Sequence, residues 1–194
     1  MKLLAGLGNF GEEYEETRHN IGFKIIDAIA QKYEFTNFNN KFYAKITKVK
    51  IAQHDIILCM PMSYMNNSGI PISKLLNFYK IPLSDAYIFH DDLDVQLGKI
   101  KIKTGGGNAG HNGLKSIDQH MGKDYHRIRI GIGRPEMKSM VSDYVLGDFF
   151  KEESNTINNT INFIVQNIEL LLNDKCDELI KNHTNEINKL LDKN

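Results

Sequence analysis

The chain has 194 residues, and its 24 Lys+Arg balance 24 Asp+Glu, so no global field marks it as a binder of nucleic acid or membrane. That length suits a single domain with a proper core, and two cysteines exclude a disulfide framework or a thiolate metal site. No apolar run approaches the roughly 20 residues a membrane span requires.

In chain order, Leu3–Leu7 reads as a buried strand ending in a glycine turn. A helix follows from Asn20, its N-cap, with Phe23, Ile26, Ala30 and Tyr33 on one face. Phe42–Ala52 alternates as a half-exposed strand with Tyr43, Lys45, Thr47, Val49 and Ile51 on one side. Asp55–Met60 is a more buried strand that Pro61 stops, with Cys59 as a core thiol. Ser63–Lys80 has a helical face through Leu75, Leu76 and Tyr79, and Pro71 sets the start of the helix proper. Ala86–His90 is a short buried strand, and Lys99–Lys103 alternates with one apolar and one cationic face. A helix after Asn112 carries Leu114, Ile117 and Met121, and Arg127–Gly133 alternates again. Beyond Phe150, Ile157, Ile161, Ile164, Ile168 and Leu172 keep helical spacing, and a second amphipathic helix runs to about Leu191. Strands mixed with helices throughout predict one α/β domain spanning 1–194, a sheet covered by helices, with C-terminal helices from about 150.

Two G-x-G-x-x-G matches, Gly6/Gly8/Gly11 and Gly105/Gly107/Gly110, each follow a strand. The first runs into Glu12, Glu13, Glu15 and Glu16, which would repel a pyrophosphate, and neither is followed by the acid that meets a ribose. Both features argue against a nicotinamide enzyme; the glycines suit turns or a close backbone approach. No G-x-S-x-G elbow is present, which argues against an α/β serine hydrolase.

His19, in the loop above a helix, is the first chemical candidate, since an imidazole accepts a proton from water near neutral pH. It becomes a base if an acid orients it. Asp91 and Asp92 close a buried strand and point to opposite sides, so one of them can take the imidazole's second N–H. The same region offers a second reading, in which His90, Asp91, Asp92 and Asp94 with His111 form a nitrogen and oxygen ligand set. No H-E-x-x-H spacing supports it. Asn9, Asn66 and Asn112 lie beside glycine turns, and an amide both reads a peptide link and donates to an oxyanion. Between Val95 and Arg134, Lys99, Lys101, Lys103, Lys115, Lys123, Arg127, Arg129 and Arg134 face only Asp118 and Asp124, a local excess that suits a polyanion.

Together these segments resemble bacterial peptidyl-tRNA hydrolase. The matching runs are Gly6–Gly11 with Tyr14 and Thr17-Arg18-His19-Asn20; Pro61–Asn66 with Ser68-Gly69; His90–Asp94; Gly105–Lys115; and Arg127–Gly133. They keep the family's order over residues 1 to about 147. The resemblance implies a mixed central sheet and hydrolysis of the ester joining a peptide to the terminal ribose of tRNA, without metal or cofactor, by a cytoplasmic monomer. It implies His19 as general base, Asp91 as its orienting carboxylate, and Asn9 as the residue that separates N-blocked from free aminoacyl groups. Met65, Asn66, His111 and Asn112 would line the cleft for peptide and 3′ end. Tyr14 and Tyr64 would contribute to tRNA binding, and Lys101, Lys103 and Arg129 would meet phosphates of the acceptor stem. Four positions depart from the family pattern: Phe10 for Pro, Met60 for Lys, Ser63 for Thr and Ala109 for Gly. Two other classes compete with the esterase: an RNA-binding protein of this fold without catalysis, and a metal-dependent amidase built on the aspartate cluster.

Overall fold

A computed structural model describes residues 1–35 and 37–191; residues 192–194 of the predicted domain lie outside the described residues. Seven strands form one sheet in the order β2-β3-β4-β1-β5-β7-β6. They are β1 (Lys2–Gly6), β2 (Asn39–Lys41), β3 (Ala44–Ile51), β4 (His54–Pro61), β5 (Ala86–Asp92), β6 (Ile100–Thr104) and β7 (His126–Gly131). The inner strands β4, β1, β5 and β7 are parallel, while β2, β3 and β6 are antiparallel to their neighbours. The sheet is mixed, as the resemblance implied.

The inner strands read as nearly continuous apolar runs because both faces are covered. Leu4, Leu58, Tyr87, Phe89, Ile128 and Ile130 pack on one side beneath α1 (Ile21–Lys32), α5 (Lys151–Gln166), α6 (Ile168–Leu172) and α7 (Cys176–Leu191). Leu3, Ala5, Ile57, Cys59 and Ile88 face the other way, toward α2 (Gly69–Tyr79) and α3 (Asn112–Met121). The core thereby splits into two layers, and Cys59 sits fully buried in one of them.

Several expectations shift. The hairpin strand β2 and the short helix α4 (Val141–Val145) were missed; three residues and five are too few to show a period. β3 begins at Ala44 because Phe42 and Tyr43 take left-handed backbone angles and make the turn. Pro71 lies in the first turn of α2, as expected. The buried face of α1 is Ile21, Ile25, Ile26, Ile29 and Ala30, while Phe23 and Tyr33 only flank it.

Glycine decides how α1 sits. A Cβ at Gly6 would meet the carbonyl of Gly22, and one at Gly22 would meet backbone atoms of Leu7 and Phe89. This mutual approach presses the start of α1, and the turn before it, onto the ends of β1 and β5. The first glycine motif is thus used for helix–sheet contact rather than to cradle a ligand.

Candidate active site

The carboxyl ends of β1, β4 and β5 open into a cleft of about 1030 Å³, the place where ligands bind in α/β sheets. A 3₁₀ turn, Arg18–Asn20, precedes α1 and carries His19 to the end of β5. That strand runs two residues past the predicted end and places Asp91 inside it, fully paired with β7. His19 Nδ1 then lies 2.8 Å from Asp91 Oδ1, joining residues 72 apart in sequence.

Asp91 is 2% exposed and gives the same oxygen to His111 Nε2 at 3.0 Å. His111 Nδ1 accepts from the backbone N–H groups of Gly113 and Leu114 at the start of α3. That nitrogen therefore carries no proton, and Nε2 must be the donor to Asp91. Burial alone would raise Asp91, but the imidazoles of His19 and His111 overcome it and hold the carboxyl well below the usual carboxylate range. Burial likewise disfavours a charged His19, yet the Asp91 charge and hydrogen bond outweigh it and raise the imidazole above its ordinary 6.5. In its neutral form His19 donates through Nδ1 and keeps a free lone pair on Nε2 at the cleft.

Asp92 points to the opposite side, as alternation demands, and accepts from Arg129 Nε at 2.7 Å and from the Asp94 N–H at 2.8 Å. Asp94 binds Arg134. His90 donates Nδ1–H to the Asp91 carbonyl, and burial with His111 alongside pushes it down to about 3, so it stays neutral. The ligand set His90, Asp91, Asp92, Asp94 and His111 is thereby divided among separate partners. The three groups that do converge are His19, Asp91 and His111, whose ligand atoms lie within 4.8 Å of one another.

Asn9 is fixed from both ends. Asn20 does not cap α1; its amide grips the Asn9 backbone instead, accepting from Asn9 N at 2.8 Å and donating to Asn9 O at 2.9 Å. Asn9 Oδ1 accepts the Met65 N–H at 2.8 Å, which leaves its Nδ2 hydrogens as donors at the cleft. Met65 is buried beneath, while Tyr64, Asn66 and Asn112 are exposed on the rim.

Of the predicted site residues, Asn9, His19, Tyr64, Met65, Asn66, Asp91, Lys103, His111, Asn112 and Arg129 all line this one cleft. Tyr14 and Lys101 do not. Tyr14 ends a separate 3₁₀ turn, and Lys101 is exposed on β6 beside the opening. The basic excess also shrinks. Arg127 is 2% exposed and binds Asp118 and the Gly107 carbonyl, holding the glycine loop rather than a phosphate.

Sequence reasoning quoted Arg18 within a motif but gave it no task. Its guanidinium donates to the carbonyls of Tyr144, Gly147 and Asp148 and to Glu153, with the rings of Tyr144 and Phe150 against it. Through it, the turn bearing His19 is tied to the end of α4 and the residues just after it, and Val141, Ser142, Val145 and Leu146 of this stretch form the far wall of the cleft. An arginine beside the candidate histidine was the available signal. Among the departures, Phe10 packs its ring 5.1 Å from Tyr64, Met60 joins the core, and Ala109 adopts a left-handed φ of 49° where glycine would be relaxed.

A sequence profile of the family described as peptidyl-tRNA hydrolase matches residues 3–192. The chain belongs to the peptidyl-tRNA hydrolase family. Curated peptidyl-tRNA hydrolases from Ehrlichia canis and Rickettsia bellii are 50% and 48% identical to it. These alignments cover 97% and 92% of this chain, and 93% and 97% of the relatives. The crystal structure of peptidyl-tRNA hydrolase from Acinetobacter baumannii matches with a TM-score of 0.89 and 38% identity over 94% of each chain. Peptidyl-tRNA hydrolases are hydrolases, and this chain is an enzyme of that class. Among the described residues no helix is long and apolar enough to cross a membrane.

Proposed function

We propose that this enzyme cleaves the ester between an N-blocked peptidyl group and the 3′-terminal ribose of tRNA by a water molecule that His19 activates, without a metal. The observation that carries the reading is the His19 imidazole, oriented by Asp91 and with Nε2 free at a cleft that also presents amide donors. Nε2 takes a proton from water as the oxygen attacks the ester carbonyl. The imidazolium that forms is stabilised by the ionised Asp91. Asn9 Nδ2 donates to the peptide end of the substrate, and Asn66 and Asn112 are the remaining amides within the same cleft. As the intermediate collapses, the imidazolium returns its proton to the departing ribose oxygen, releasing tRNA and a free carboxyl group. An ester is activated relative to an amide, so an oriented base with amide donors suffices and no covalent intermediate is required.

The RNA approaches along β6 and β7, where Lys101 and Lys103 supply positive charge and Arg129, paired with Asp92, lines the cleft beside them. Tyr14 and Tyr64 assist from the side of β1 and β4. In this reading the enzyme works in the cytoplasm, where peptidyl-tRNA arises, and acts as a monomer, as the family resemblance implies. Turnover of N-acetyl-aminoacyl-tRNA beside the unblocked form tests the reading: only the blocked ester is cleaved quickly, and His19→Ala nearly abolishes the rate while tRNA still binds. Equal cleavage of both forms refutes the specificity, and a fully active His19→Ala refutes the mechanism.

The convergence of His19, Asp91 and His111 favours one rival, a metal-activated water at the same place. Activity that survives exhaustive chelation removes it. Loss of activity on chelation, with recovery on adding zinc, would replace the base by the metal.

A further inference from the structure

The edge of the sheet opposite β6 carries a second set of cations, mixed with aromatic rings. The β2–β3 turn projects Phe42 and Tyr43, and the last turn of α2 ends in Phe78 and Tyr79. Phe42 meets Phe78 edge-on at 5.2 Å, and Phe78 meets Tyr79 at 4.9 Å. Tyr43 is nevertheless 71% exposed and Phe78 56% exposed. Rings of this size are ordinarily buried in a core or an interface, so two of them left open on one edge call for an occupant.

The surrounding charge says what kind. Strand alternation and the pairing of Lys41 with Ala44 place Lys41, Lys48 and Lys50 on the face that α2 covers. Lys74 and Lys80 are exposed on α2 and just beyond it. Lys41 Nζ lies 3.6 Å from the Phe78 ring centre, Lys48 Nζ 4.7 Å from that of Tyr79, and Lys74 Nζ 4.9 Å from that of Tyr43. The carboxylate registered beside this strand face is Asp55, opposite Lys50. Among the described residues, Lys41, Lys48, Lys74 and Lys80 form no salt bridge.

We propose that this edge is a second RNA-contact surface, which takes unpaired nucleotides with bases on Phe78 and Tyr43 and phosphates on the lysines. It rests on the reading that the substrate bears RNA. A polyanion answers four lysines that have no ion-pair partner among the described residues, Lys41 being held only by the Tyr79 hydroxyl at 3.2 Å. A flat base covers an open ring, which carboxylate side chains do not. The place fits as well. Met62 N donates to the Tyr43 carbonyl at 2.8 Å, so the turn sits two residues from Tyr64 on the cleft rim. Only one strand, β4, lies between β3 and β1, two inter-strand spacings or about 10 Å. Basic surfaces thus flank the cleft on both sheet edges, and RNA leaving it meets one on either side.

The test is fluorescence anisotropy of a short, unstructured, labelled oligoribonucleotide across a salt series, with the full chain. Tyr43→Ser with Phe78→Ser removes two exposed rings and weakens binding by about tenfold or more. Lys48→Ala with Lys74→Ala lowers the slope of log affinity against log salt by about one per lysine. Turnover of an N-acetyl-aminoacyl ester on a minimal 3′-terminal nucleotide fragment is unchanged in both pairs, which shows that the variants are folded. Unaltered oligonucleotide affinity overturns the proposal, as does binding that only Lys101→Ala with Lys103→Ala weakens. Equal displacement of the oligonucleotide by polyglutamate at matched charge also overturns it, in favour of an acidic protein partner. If the wild-type chain cleaves no ester, the proposed reaction fails, while the binding result still decides this surface.

Discussion

Replacing Arg18 by alanine tests whether the wall of the cleft and the turn bearing the base are one mechanical unit. The side chain is 2% exposed, and Glu153 opposite it is 18% exposed. Removal leaves the Glu153 carboxylate with the Phe150 N–H at 2.9 Å and strips three backbone carbonyls of a donor. Hydrogen bonds from a charged donor contribute ~1.5–3 kcal/mol each and do not add. Breaking a buried ion pair from one side costs ~3–5 kcal/mol, and that is the loss expected here. A domain is stable by only ~5–15 kcal/mol, so the urea midpoint should fall by ~1–2 M with little change in slope. In a double-mutant cycle, Glu153→Gln should cost much less in the Arg18→Ala background than alone. Because the loosened segment lines the cleft, KM should rise more than kcat falls. A loss below ~1 kcal/mol together with an unchanged KM would refute the reasoning.

The remaining predictions concern charge. The proposed mechanism requires neutral His19, whose proton affinity Asp91 raises, so kcat/KM should fall on the acid side with a midpoint above 6.5. Asp91→Asn removes the anion while burial stays, so the midpoint should drop and the plateau rate fall sharply; an unshifted profile would take Asp91 out of the scheme. Lys101→Ala with Lys103→Ala should raise KM and flatten its salt dependence, and if neither changes, the main RNA contact lies elsewhere. His183 on α7 is 5% exposed against Phe163, and burial pushes it down to about 4. The unfolded chain binds that proton near 6.5, so this contribution to stability is present above 6.5 and is lost as pH falls toward 4. Denaturant melts of His183→Leu should show a shallower decline over that window than the parent, and parallel declines would rule the group out.

Long apolar runs made β1, β4 and β5 legible from the sequence, and i, i+4 spacing did the same for α1, α3 and the C-terminal helices. That His19 would meet Asp91 or Asp92 was legible because a lone imidazole beside a helix start needs an acid and strand alternation allowed one of two; the family resemblance alone singled out Asp91. Which of the two it would be depends on where β5 ends, and nothing local to His90–Asp94 says so. Asn20 misled because an asparagine before a helix is ordinarily a cap; a long-range contact to the Asn9 backbone competes for the same amide and wins. Arg127 misled for a related reason. An alternating Arg-Ile-Arg-Ile strand reads as having an open cationic face, yet α3 lies across that face and supplies Asp118. Tertiary partners decide such cases, and a sequence window does not contain them.

The span of 72 residues between His19 and Asp91 has a consequence for the enzyme's own birth. Until its last residue is added, every copy of this chain is itself a peptide esterified to tRNA, the very linkage it is read as cutting. The base arrives first, its carboxylate only once β5 has emerged, and the opposing wall later still, with the Arg18 clasp to residues 144–153. On the proposed mechanism a growing copy is therefore inert for most of its synthesis, by the order in which translation delivers the parts.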